Sequence, residues 1–269
     1  MEKYSDNEYL KQQIMVSKHL FIYGQNTVER TQLLRGLEAA YPIRINEDSP
    51  MAIYLDEFSL PLVKSHSDVD ELTQSRIALR YLNISIAYNV IDRIYKSTSF
   101  DQLQSRISEL MQVVKRLCLG NKEKGVPNID ELLSLLKISR QFYVQYYEKL
   151  MIGKSDLPEL CGGPISYIDL DPFMHYVKQT LGNNSYFGII VDNQTDIPLI
   201  SKRAINNIVT KRCTGDISMK VACDFRDWNT YYGLGDVRAD IIHDYGDIDL
   251  DGNEKEFLGR VKMITYRDN

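Results

Sequence analysis

Cysteine is scarce, and its placement does not suit metal binding. The four in this 269-residue chain, Cys118, Cys161, Cys213 and Cys223, form no C-x-x-C pair, and no two sit at hairpin spacing with a histidine. Neither a disulfide framework nor a zinc ribbon is expected. Histidine is equally sparse. His19, His66, His175 and His243 are scattered, and each is expected to be structural or solvated. No apolar run approaches the roughly 20 residues that cross a bilayer, and the opening "MEKYSDNEYLKQQ" is too polar for a signal peptide. A positive balance is missing too. The net charge is −5, without the basic excess of a stand-alone nucleic-acid binder. Repeats and low-complexity stretches are also absent. These gaps imply a cytoplasmic protein in a reducing compartment, with no membrane partner and no nucleic acid indicated.

What is present is ordinary globular material, 43% apolar and 26% charged. "KHLFIYG" (18–24) reads as a buried strand, followed by a helix from Thr31 to Ala40. "MAIYLDEF" (51–58) reads as a second strand. Leu79, Leu82, Ile86, Val90 and Ile94 then fall at helical spacing, as do Leu103, Ile107, Leu110, Val114 and Leu117. Residues 129–150 are helical and rich in tyrosine. Asp171-Pro172 opens a short helix that Gly182 closes. "YFGIIVD" (186–192), "ISMKVACD" (217–224) and "ADIIHDYGDIDL" (239–250) read as strands, with a helix at 199–212 between the first two. Apolar strands alternating with helices predict one α/β domain over 1–269. Its sheet is doubly wound and mostly parallel, with a helical insertion over about 68–160.

"GQNTVERT" (24–31) has the length of the phosphate-loop motif G-x-x-x-x-G-K-[ST]. Gly24 and Thr31 fit. Glu29 stands where glycine lets the backbone approach a phosphate, and Arg30 replaces the lysine that reaches it. A carboxylate about 4 Å from one phosphate charge costs roughly 1 kcal/mol in water and about 4 at an effective dielectric of 20. The alternative is a strand–turn–helix that never bound phosphate. Such loops also need an Asp at the end of another apolar strand to orient Mg²⁺, usually followed by a Glu. Asp56-Glu57 and Asp192-Asn193 are the two candidates. In the doubly wound ATPase order the 51–58 strand lies at the sheet edge, which leaves Asp56 and Glu57 as a solvated strand end and favours Asp192. Asn193 then replaces the glutamate, and an amide accepts no proton.

The run "LFIYGQNTVERTQLLRGLE", "MAIYLDE", "ALRYLNISIAYNVIDRI", "YFGIIVDNQTDIPLISKRAINNIVTKR", "SMKVACDFRDW" and "IIHDYGDIDLD" resembles the bacterial origin-recognition-complex-like (ORC/CDC-type) branch of the AAA+ P-loop ATPases, over roughly residues 15–255. The resemblance implies a P-loop NTPase-type sheet. Gly24, Arg30 and Thr31 match its nucleotide loop, Asp192 its Mg²⁺ residue, and Asp224 falls near its sensor position. Arg226 or Arg238 would match an arginine finger. Glu29, Arg30 and Asn193 are departures that argue against hydrolysis, so a degenerate member is implied, with ATP and Mg²⁺ as cofactors only if nucleotide binds. Fewer than twenty residues follow Asp251, where the family carries a helical lid, so the lid is expected to be missing. Members sit in multi-protein systems, several of them antiviral. This implies an interaction or regulatory subunit with another protein or a second copy as partner, or alternatively an ATP-binding switch with slow, partner-dependent hydrolysis.

Three weaker signals compete. "DIDLDGNEKEFL" (247–258) opens like a calcium loop but has Leu258 at the twelfth position, so an acidic turn is expected. Cys223 shares an alternating face with Ile217, Met219 and Val221 and reads as core. "QFYVQYYEKL" (141–150) reads equally as a partner face or as helix packing.

Overall fold

The computed structural model describes residues 7–63, 69–97, 106–108, 110–111, 128–153, 165, 167–193, 197–211, 215–224, 227–228, 230–239 and 244–252. Five strands, β1 (His19–Tyr23), β2 (Met51–Tyr54), β3 (Phe187–Asp192), β4 (Ile217–Cys223) and β5 (Tyr245–Asp249), form one sheet in the order β2-β3-β4-β1-β5. Every pairing is parallel, with Phe21 opposite Val221 and Asp247, and Ile189 opposite Ile53 and Met219. The sheet is therefore wholly parallel among the described strands. As expected, β2 lies at its edge.

The four inner or paired strands β1 to β4 are buried at every position, as parallel strands covered on both faces must be. Leu20, Ile22, Ala52, Tyr54, Ile190 and Ala222 face the helix α2 (Thr27–Ala40) through Leu33, Leu34 and Leu37, with Ile14 of α1 (Glu8–Ile14) beside them. The alternate residues, among them Phe21, Ile53, Phe187, Ile189, Met219 and Val221, form the larger core on the opposite face. There α3 (Glu71–Lys96) packs on β2 and on α6 (Leu199–Val209), while α4 (Ile129–Met151) packs on α3. The short helix α5 (Leu170–Leu181) buries Phe173, Met174 and Val177 in the same core. Helices α3 and α4 make up most of the described part of the insertion.

Local chemistry sets the helix ends. Asp70, Asn128 and Asn26 each accept the third helical N–H of α3, α4 and α2 through a side-chain oxygen. Helix α5 ends on Gly182 at φ 63°, where a Cβ would lie 2.4 Å from Asn46 Oδ1. Its N-cap is Asp169 rather than Asp171, which places Pro172 inside the first turn. At the N-terminal ends of the strands, the buried Lys220 donates to the carbonyls of Val16 (2.6 Å) and Lys18 (2.7 Å), and His19 Nδ1 accepts from Met219 N at 2.8 Å.

Two expectations fall partly or wholly outside the described residues. Ile107 and Leu110 pack against the main core, but Leu103, Val114 and Leu117 are not described. The expected missing lid concerns residues beyond Gly252, also not described. Within the tyrosine-rich stretch Tyr143 and Tyr147 are buried, which resolves those two positions as helix packing.

Candidate functional site

The order of the sheet brings the ends of β3, β4 and β1 side by side, and the candidate residues meet there. Strand β1 ends at Tyr23 and α2 is capped by Asn26, so Gly24, Gln25 and Asn26 are the whole turn. The helix begins at Thr27, one turn before the expected Thr31. The correction has a physical cause. Asn26 Oδ1 accepts the Glu29 N–H at 3.2 Å, its carbonyl accepts the Arg30 N–H at 3.0 Å, and Glu29 adds a favourable negative charge to the first turn. Residues that would wrap a phosphate are wound into helix instead.

The turn is also closed from the C-terminal side of the chain. Gln25 N donates to Asp251 Oδ2 at 3.0 Å, so one of its backbone donors already holds an anionic oxygen. Leu250 lies against Gly24, where an added Cβ would meet Leu250 Cδ1 at 3.1 Å. Gly24 does not have a positive φ. The Leu250 side chain, not a left-handed backbone, is therefore what a side chain at this position would meet.

Arg30 is 1% exposed, and its guanidinium turns inward. Nε donates to Asp192 Oδ1 (3.0 Å), one terminal nitrogen to the Gly24 carbonyl (2.6 Å) and the other to the Asn193 carbonyl (2.8 Å). The group that would reach a phosphate is engaged by protein on all three nitrogens. It ties the turn after β1 to the end of β3. The second carboxylate oxygen of Asp192 accepts from Thr31 Oγ1 at 2.5 Å and from the Tyr54 hydroxyl at 3.2 Å. Thr31, Arg30 and Asp192 therefore converge as the sequence predicts. Tyr54 was missed, although strand alternation puts it on the α2 face with Ala52. Arg35 stacks over the Tyr54 ring at 4.4 Å.

The remaining candidates lie around this knot. Asn193 is 2% exposed, and neither side-chain polar atom has a hydrogen-bond partner. Asp224 is half-buried just past β4, and its carbonyl accepts from Asp227 N at 3.0 Å. Glu29 is half-buried on the first turn of α2. Asp56 and Glu57 are, as expected, away from the knot: Asp56 is half-exposed and paired with Arg35 at 3.0 Å, and Glu57 bonds Arg140. Arg226 lies outside the described residues, while Arg238 stacks near Tyr232. Cys223 is fully buried, and burial pushes its thiol well up, as a core cysteine requires. Among the described residues no group of three or more His, Cys, Asp or Glu side chains is placed to hold a metal ion. No described helix is long and apolar enough to cross a membrane.

The chain matches no protein-family model, no curated protein and no solved structure.

Proposed function

We propose that this chain is a degenerate P-loop NTPase-type domain of the origin-recognition-like AAA+ kind, acting as an interaction or regulatory subunit of a multi-protein complex. The inward-turned Arg30 carries the reading. A guanidinium held by a buried carboxylate and two carbonyls is a strut. Sheet order supports the fold part of the proposal, with β2 at the edge and Asp192 on an inner strand beside the loop. The residues present fit a triphosphate and Mg²⁺ poorly. The turn is short, Asn26 and Asp251 take backbone donors, Glu29 adds negative charge, and Asn193 offers no base. What persists is a rigid strand–turn–helix suited to holding a surface in place.

An ATP-binding switch is the second reading, favoured by one observation: Thr31 and Asp192 are in contact, as a Mg²⁺ site would require. It demands that Arg30 leave three partners on binding. Calorimetric titration of the purified chain with millimolar ATP, with and without Mg²⁺, separates the two. The expected result is no heat of binding. Micromolar binding by the parent chain overturns the docking-subunit reading.

A further inference from the structure

Strand β5 carries a carboxyl group that the candidate site does not use. Asp247 stands opposite Phe21 of β1 and shares its face of β5 with Tyr245 and Asp249. One of its oxygens bonds the Tyr23 hydroxyl, while Oδ1 is buried without a hydrogen-bond partner. The Tyr23 hydroxyl in turn meets the Tyr231 hydroxyl at 2.9 Å. Asp247, Tyr23 and Tyr231 thus link β5 through β1 to a short hairpin over 231–239.

The hairpin is held differently at its two ends. Its tip, the short 3-10 turn Leu234–Asp236, rests on α3 and α6. At its base Tyr232 and Arg238 form an antiparallel bridge, Ala239 N donates to the Tyr231 carbonyl at 2.9 Å, and Gly233 N donates to the Val237 carbonyl at 2.8 Å. Asn206 of α6 donates to the carbonyls of Thr230 and Tyr232, on either side of Tyr231. The Tyr231 ring is what reaches the sheet. It stacks on Tyr245, with centroids 5.8 Å apart, and meets Phe21 edge-on at 5.6 Å.

Among the described residues, the charged and titratable groups around this link are Lys18 ahead of β1, Tyr23 on β1, Cys223 on β4, Tyr231 and Arg238 on the hairpin, and Tyr245 and Asp249 on β5. Burial pushes both linked hydroxyls and the Cys223 thiol up, so all three stay protonated at neutral pH. Burial also holds the Asp247 carboxyl at about 7, against Lys18 and the Tyr23 hydroxyl, which pull it down. We propose that Asp247, Tyr23 and Tyr231 form a proton-operated latch, which fastens the hairpin to β5 while the Asp247 carboxyl is protonated and releases it once that proton is lost. As a carboxylate, Asp247 accepts the Tyr23 hydrogen and Tyr23 accepts the Tyr231 hydrogen, so both hydroxyl hydrogens are committed. Oδ1 then shares a negative charge with no donor beside it, and a buried charge without a partner costs far more than a neutral oxygen in the same place. Parting Tyr231 from Tyr245 admits water to that oxygen. The latch is independent of whether the β1–α2 turn binds nucleotide.

The test is amide hydrogen exchange of the full chain by NMR over about pH 5–8, corrected for the intrinsic exchange rate. Ala239 N–H reports the base of the hairpin, and the Leu55 and Phe187 N–H groups, bonded to Ile190 and Asp216 carbonyls, report the far half of the sheet. Opening lets the carboxyl return to its ordinary value near 3.9, so Ala239 protection should fall by up to about tenfold per pH unit below 7 and level off above it. It should stay below the protection of Leu55 and Phe187 throughout, as a local opening requires. Asp247→Asn keeps the shape without the charge and should remove the pH dependence while Leu55 and Phe187 stay protected. Tyr23→Phe takes away the donor that favours the carboxylate and should move the levelling-off to higher pH. Ala239 protection that does not change with pH overturns the proposal, as does an equal fall in Asp247→Asn or an unmoved levelling-off in Tyr23→Phe. Exchange of Ala239 with the same free energy and urea dependence as Leu55 and Phe187 also overturns it, because the hairpin would then open only with the whole sheet.

Discussion

Arg30 Nε and Asp192 Oδ1 lie 3.0 Å apart, joining the first turn of α2 to the end of β3, with the two side chains 1% and 0% exposed. Removing one partner from such a pair leaves a charge buried without compensation, which costs about 3–5 kcal/mol. Arg30→Ala is therefore expected to destabilise the fold by that amount in chemical denaturation. Replacing both partners by apolar residues, Arg30→Met with Asp192→Leu, should recover much of the loss, since a buried pair and a packed apolar pair are close in net energy. A loss below about 1 kcal/mol in Arg30→Ala, the range of an exposed ion pair, would show that the guanidinium is not a strut.

Gly24 and Leu250 form the second contact that defines the turn. Adding a Cβ at 3.1 Å from Leu250 Cδ1 overpacks the junction of β1 and β5, and overpacking costs about 1–3 kcal/mol. Gly24→Ala should lower the denaturation midpoint accordingly. Leu250→Ala also destabilises, by creating a cavity. The double variant should lose less than the sum, because each change relieves the other. Strict additivity would mean that Leu250 is not what requires glycine.

Restoring the motif should not restore the chemistry. Glu29→Gly, Arg30→Lys and Asn193→Glu together rebuild the expected residue types, but Asn26 still caps α2 and the turn still comprises only Gly24, Gln25 and Asn26. The new glutamate would also replace a side chain buried to 2% exposure. A phosphate-release assay on the triple variant should match its Thr31→Ala derivative. Release above that control would show that the helix start yields and the loop re-forms.

The same residues show what a sequence exposes and what it conceals. Strands β1 and β3 are legible because strands buried on both faces read as apolar runs, as Phe187–Val191 does, whereas β4 is legible by alternation, with Ser218 and Lys220 set between apolar residues although all seven positions are buried. Asp192 is favoured over Asp56 by the edge placement of the 51–58 strand in the doubly wound ATPase order and by the apolar run before Asp192, which suits a central strand. The motif template starts α2 at Thr31, whereas Asn26 and Glu29, at the spacing of a capping box, start it at Thr27. The direction of Arg30 was not readable. A basic side chain at that position can point at a phosphate or at Asp192, and only the distance between β1 and β3 decides. Asp251 and Leu250 closed the turn from 226 residues away, a relationship with no local signature.

Stability should respond to pH through two buried groups of opposite sign. Asp247 is held by burial at a pKa of about 7, with Lys18 and the Tyr23 hydroxyl only partly offsetting it, and Tyr23 in turn bonds Tyr231 at 2.9 Å. The unfolded value is near 3.9, so between the two the folded chain holds a proton that the unfolded chain lacks. This contribution is full below about pH 4 and is lost as pH climbs through 7. His19 is depressed by burial to about 4, its Nδ1 accepting from Met219 N. Unfolding lets it take a proton below its ordinary value near 6.5, so its contribution is full above that pH and is lost as pH falls towards 4. Over about pH 4–6.5 the two oppose each other, and from 6.5 upward only Asp247 acts. Asp247→Asn removes one side of this balance. The urea midpoint of the variant should rise more steeply than that of the parent between pH 4.5 and 6.5, and should not share the parent's decline between about 6.5 and 7.5. The remaining carboxylates contribute equally to both chains, so the difference between the two curves belongs to Asp247. A difference that does not change with pH would mean that its carboxyl titrates in the ordinary range and that burial at β5 is looser than the geometry shows.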